Sequence, residues 1–166
     1  MFAIQLDALQ VGEQIVLNFV KVLDQTDLRV DDTDNDSGGG EVGRAHWDSK
    51  IESGLMSVCD EVLGWLKESA SGRIEPNYLK QYIGLRVNGG VNNFVFMSPK
   101  SWKKLVNIHF RHSDAIDWKE RFEEAGTPVS SRQNGRFVLH VTPEEFATHR
   151  ELIHEAVVAA VTEAGV

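Results

Sequence analysis

The segment from Gln81 to Arg111, "QYIGLRVNGGVNNFVFMSPKSWKKLVNIHFR", limits the possible folds more than any other part of the chain. Asn88, Gly89 and Gly90 spell a hairpin, because residues that tolerate positive φ reverse the backbone with the twist of paired strands. A second turn signal, "SPKSW", covers Ser98 to Trp102. The runs around these turns, Gln81 to Val87, Val91 to Met97 and Lys103 to Arg111, are short and rich in β-branched and aromatic residues. They predict a three-strand antiparallel meander.

The flanking sequence changes period. From Asp48, Ile51, Leu55, Cys59, Val62 and Leu66 recur at helical spacing, widened by Met56 and Leu63, until "SGRIEPNY" breaks the pattern. After the meander a second helix is expected from near Ser113 to Gly126, with Ala115, Trp118, Phe122 and Ala125 on one stripe. A hairpin turning at Gln133 to Gly135 follows, with Phe137, Leu139 and Val141 inward and Arg136, Val138 and His140 outward. Thr142, Pro143 and Glu145 then spell a capped helix start. The expected class is α+β: an antiparallel sheet of about five strands packed against helices, in the order helix, three-strand meander, helix, hairpin, helix.

Residues 3–22 alternate around Val11-Gly12-Glu13 and predict a further hairpin. The organisation expected is an N-terminal hairpin appendage (1–30), an acidic glycine-rich linker (31–46) and the α+β domain (47–166). With 166 residues, 42% of them hydrophobic, the chain can bury one good core. Its single cysteine, Cys59, excludes an internal disulfide, and the absence of a basic start followed by a long apolar run points to a cytoplasmic protein away from membranes.

The net charge of -8 is unevenly spread. Residues 73–136 hold eleven Lys or Arg against six Asp or Glu, which leaves six against nineteen elsewhere. The middle of the chain is basic and both ends are acidic.

Catalytic and metal motifs fail on their spacing. Asp32, Asp34 and Asp36 suggest a calcium loop, but Ser37 stands where the turn glycine belongs and Gly43 where the closing glutamate belongs. His109 and His112 are three apart on a strand and point to opposite faces, while His149 and His154 are five apart on a helix. Cys59 lies on an apolar helix face, where a thiol is inert packing, and neither a nucleophile elbow nor a phosphate loop occurs. Asp48-Ser49-Lys50 and Asp117-Trp118-Lys119 sit at helix starts rather than converging at a strand end as a metal-dependent nuclease needs. No catalytic residue, metal ligand or cofactor is expected.

What remains is a set of basic residues among aromatics, the combination that binds phosphates and stacks bases. The expected nucleic-acid-binding residues are Arg86, Lys100, Trp102, Lys103, Lys104, Arg111, Arg132 and Arg136, with Trp102 as the exposed ring. Phe94, Phe96 and Phe110 are expected in the core, and His109 and His140 on solvent-facing strand positions. The alternative is a small-ligand or enzyme pocket between sheet and helices, formed by Tyr82, Arg86, Asn93 and His109.

The run "YIGLRVNGGVNNFVFMSPKSWKKLVNIHF", followed by a helix, "GRFVLHV" and "TPEEFATHRELIHEAV", resembles a bacterial family of unknown function labelled predicted transport proteins. Domains of that family often lie C-terminal to PD-(D/E)XK restriction-type nuclease domains. The resemblance implies a non-catalytic binding or accessory module in a nuclease or defence-type system, whose partners are nucleic acid or a nuclease. It also implies that residues 3–22 correspond to the closing hairpin of such a nuclease.

Overall fold

The computed structural model describes residues 2–11, 14–24, 40–132 and 134–166, and the chain divides into two compact units, Met1–Gly38 and Gly39–Val166. In the first unit, β1 (Phe2–Val11) pairs antiparallel with β2 (Gln14–Asp24), from Val11 opposite Gln14 to Phe2 opposite Asp24, with one register shift at Ala3/Ile4. The expected turn residues Gly12 and Glu13, and the acidic stretch with Asp32, Asp34 and Asp36, lie outside the described residues. Gln133 does too.

The second unit is an α+β fold with a seven-stranded antiparallel sheet. Its strands are β3 (Ile74–Tyr78), β4 (Ile83–Val87), β5 (Gly90–Val91), β6 (Val95–Lys100), β7 (Leu105–Arg111), β8 (Val129–Arg132) and β9 (Arg136–Val141). They run in the order β3-β4-β6-β7-β9-β8, with β5 paired to β4. The helices are α1 (Arg44–Asp48), α2 (Ser53–Ser69), α3 (Ala115–Glu124), α4 (Pro143–Thr148) and α5 (Arg150–Ala164).

Strand alternation builds the core. On β7 and β9, Val106, Ile108, Phe110, Phe137, Leu139 and Val141 form one face, and these six pack with Leu55, Cys59, Val62 and Leu66 of α2, Phe122 of α3 and Ile153 and Val157 of α5. Phe110 stacks on Phe137 at 4.9 Å between ring centres, and Phe122 lies 5.9 Å from the Phe137 ring. Burying each of these rings contributes roughly 2 to 3 kcal/mol relative to exposure.

The turns follow their residues. Asn88 and Gly89 have φ of 50° and 87°, and Asn134 and Gly135 have 62° and 67°, the doubly positive pattern of tight hairpins. Gly126, at φ 78°, ends α3. The Thr142 capping box forms in full: Glu145 N–H donates to Thr142 Oγ1 at 3.2 Å, and Thr142 N–H donates to Glu145 Oε2 at 2.8 Å.

Several expected boundaries are corrected. The stretch read as a breaker contains the strand β3, which tolerates Pro76 because it is the edge of the sheet. This strand and β5 raise the expected strand count to seven. The second strand of the meander runs from Val95 to Lys100 rather than from Val91 to Met97, so the turn after it falls on the 3-10 turn Ser101–Lys103, and Lys104 takes the left-handed conformation. The first helix does not run unbroken from Asp48: Ser49, Lys50 and Ile51 N–H groups close back onto Ala45 and Trp47, and α2 starts afresh after Glu52. The last helix resets at His149, which leaves α4 free to place Phe146 against Trp65, ring on ring at 5.4 Å.

Thr142→Ala removes the cap acceptor and is expected to lower unfolding stability by about 1 kcal/mol, against about 3 to 5 kcal/mol for Phe122→Ala, which empties core volume. Urea unfolding followed by circular dichroism measures both, and equal losses would contradict the assigned roles.

Candidate functional site

The alternation that sends Val106, Ile108 and Phe110 into the core sends Asn107, His109 and Arg111 to the other face of the sheet. Directly paired residues share a face, so the register fixes what stands beside what. One row across this second face is Phe96, His109, Val138 and Ser130. The next is Ser98, Asn107 and His140, and on the opposite side of the first row come Arg111, Arg136 and Arg132. Three guanidinium groups therefore project from three adjacent strands at one level.

The eight basic and aromatic candidates separate into three groups. Arg111, Arg132 and Arg136 form the arginine row. Lys100, opposite Leu105, stands six residues along β7 from Arg111, roughly 20 Å at strand rise, and the 3-10 turn beside it carries Trp102, Lys103 and Lys104. Trp102 is 75% exposed, with Lys103 Nζ over its ring at 4.7 Å from the centre. Arg86 stands apart, opposite Glu75 and bonded to Glu41 at 3.1 Å, so acidic partners balance its charge.

The alternative pocket set resolves differently. Asn93 is a structural group, since its Oδ1 accepts from Leu85 N–H at 2.9 Å and occupies the space that a Cβ on Gly84 would need. Tyr82 lies 5.1 Å from Phe96, whose ring stacks on His109 at 4.0 Å and 11°. Phe94, Phe96 and Phe110 are buried as expected, but Phe96 belongs to the second face rather than to the helix-covered core. The expectation that His109 faces solvent is overturned, because it is only 5% exposed. Strand parity predicts its face, but burial on that face depends on neighbours that a single strand does not reveal.

The charges that act on His109 are positive. Burial, and then the nearby charges of Arg132, His140, Lys100 and Arg136, push the His109 imidazole down to about 3, so it is neutral throughout the physiological range. Burial, followed by repulsion from Lys103, also lowers the Lys100 ammonium. His109 Nε2 and Asn77 Oδ1 are buried without a hydrogen-bond partner among the described residues. Cys59 is fully buried in the core, where desolvation pushes its thiol up to about 12 and keeps it unreactive.

Sequence reasoning missed a linked trio on the same face. His140 Nδ1 lies 2.8 Å from Asn107 Oδ1, and His140 Nε2 lies 2.9 Å from Ser130 Oγ. The signal was that positions 107, 130 and 140 share one face of the sheet, which becomes readable only with the register of β7, β8 and β9. Among the described residues no group of three or more His, Cys, Asp or Glu side chains could hold a metal ion, and no helix is long and apolar enough to cross a membrane.

The unfolded chain protonates His109 near 6.5 and the folded chain only near 3. Between those values the unfolded state binds the additional proton, so this contribution is fully present above about pH 6.5 and is lost as the pH falls toward 3. His109→Gln, which cannot titrate there, is expected to flatten the loss of urea stability between about pH 6.5 and pH 4. An unchanged slope would show that His109 does not carry the effect.

Comparison with known proteins finds no family model, no curated protein and no solved structure that matches the chain.

Proposed function

We propose that the unit Gly39–Val166 is a binding module for nucleic acid, which it holds along the second face of the sheet by contacts to the phosphate backbone. The observation that carries this reading is the row of Arg111, Arg136 and Arg132 across three paired strands. A polyanion laid across the row meets several guanidinium groups at once, and each group can make paired hydrogen bonds to phosphate oxygens. The lysine-rich turn continues the positive surface, with Trp102 as a ring on which a base stacks. Besides Arg86, which is paired with Glu41, the four cations Lys100, Arg111, Arg132 and Arg136 share this face although the chain as a whole carries -8. Local charge governs phosphate contact more directly than net charge does.

The same reading places the module in the cytoplasm beside a nuclease of a defence-type system, which rests on the motif resemblance and the lone buried thiol. The small-ligand alternative draws its support from the unpartnered buried atoms of His109 and Asn77.

Fluorescence anisotropy with a labelled single-stranded oligonucleotide tests the proposal. Affinity is expected to fall with rising salt, and each lost phosphate contact should reduce the slope of log K against log salt by about 0.7. Arg132→Glu with Arg136→Glu should abolish binding, and Lys103→Glu with Lys104→Glu should weaken it, while the exposed Arg73→Glu leaves it unchanged. Salt-independent binding, or full affinity in the Arg132/Arg136 double variant, would end this reading.

A further inference from the structure

The trio on β7, β8 and β9 goes beyond binding. Asn107 Oδ1 faces His140 Nδ1 at 2.8 Å, and an amide oxygen can only accept, so Nδ1 carries the hydrogen. The imidazole then presents Nε2 as an acceptor 2.9 Å from Ser130 Oγ, and the serine hydroxyl donates to it. A hydroxyl, an imidazole base and a side chain that fixes the base's tautomer stand in the order that nucleophilic catalysis uses. The two flanking groups are cationic: Arg132 lies two residues beyond Ser130 on the same face, with Arg136 directly opposite it.

From this juxtaposition we propose that Ser130 is a nucleophile activated by His140, positioned in turn by Asn107, and that it reacts with activated carboxylic esters carrying an anionic group. In the first step Ser130 Oγ bonds to the acyl carbon while its proton passes to His140 Nε2. The ester C–O bond then breaks, and the departing alkoxide takes that proton. Water attacks the acyl-serine with His140 again receiving the proton, and collapse returns it to Ser130 Oγ, which releases the carboxylic acid. The guanidinium groups of Arg132 and Arg136 attract the substrate's anionic group and favour the charge that develops on the acyl oxygen.

Ser131 provides an internal control, since it is exposed and sits next in the chain but on the opposite parity of the strand. The full chain is incubated with a fluorophosphonate probe, and adducts are located by peptide mass spectrometry. Labelling is expected at Ser130 and not at Ser131, absent in Ser130→Ala, and slower by a factor of about 100 or more in His140→Gln, as loss of a general base requires. Asn107→Ala should lower the rate while Asn107→Asp preserves it, because an oxygen at that position fixes the tautomer of His140. Hydrolysis of 4-nitrophenyl succinate, an activated ester with a free carboxylate, should follow the same order.

Should His140→Gln fail to fold, the thiol in Ser130→Cys is expected to alkylate with iodoacetamide faster than that in Ser131→Cys. Equal labelling of the two serines, equal alkylation of the two thiols, or undiminished labelling in a folded His140→Gln would overturn the proposal. None of these readouts involves nucleic acid, so each outcome is separate from the binding test.

Discussion

The pairing of β7 on both of its sides is the constraint from which the other features follow. It bonds β6 from Val95/Phe110 to Lys100/Leu105, and β9 from Val106/Val141 to Arg111/Arg136. Because side chains alternate, a slip of one residue would move Val106, Ile108 and Phe110 out of the core and put Asn107, His109 and Arg111 into it. An unpaired charge taken into a helix-covered core costs several kcal/mol, on top of the apolar area lost, so the observed register has no close competitor. The helices thus set the content of the face they do not cover. Anchoring Phe110 and Phe137 leaves Arg111 and Arg136 no choice but to stand side by side.

That second face resolves its charge in two ways. Around Arg86 the positive charge is met locally, by Glu75 on the paired strand and by Glu41. Toward β8 the register places Arg111, Arg136 and Arg132 side by side on three paired strands. His109 responds by remaining neutral, since a further cation buried among Arg132, Lys100 and Arg136 would meet both desolvation and repulsion. A neutral embedded imidazole can stack on Phe96 as an aromatic ring, and its Nε2 stays buried without a hydrogen-bond partner among the described residues. The Arg86 pairing and the arginine row thus occupy different strands of the same face.

Much of this architecture was legible in the sequence, and the legible parts share a cause. Asn-Gly turns, the Gly126 stop and the Thr142 capping box are local devices, complete within four or five residues, and all of them occur in the structure. What local pattern could not supply was position within the sheet. Pro76 reads as a breaker unless β3 is known to be an edge, and Pro99 sits in a strand because β4 meets β6 at Ile83/Met97 and Pro99 lies beyond that point. The helix resets at Asp48 to Ser53 and at His149 serve tertiary contacts of Trp47 and Phe146, which no periodicity encodes. The basic residues were identifiable by type, but their separation into a row, a turn and a balanced pair required the register.

The placement of the trio adds a mechanical point. Ser130 is on β8, a four-residue edge strand, whereas His140 and Asn107 belong to strands paired on both sides or held by the core. Short, charged edge strands resist pairing with other chains and leave their outer side open to approach. Their weakness is looseness, and here it is countered from the opposite face, where Val129 pairs with Leu139 and packs against the core while α3 lies against β8. Leu139 and Phe137 are themselves buried. The separation between Ser130 and His140 is therefore held by hydrophobic anchoring on the far side of the sheet, so the core that fixes the fold also fixes the geometry at this edge.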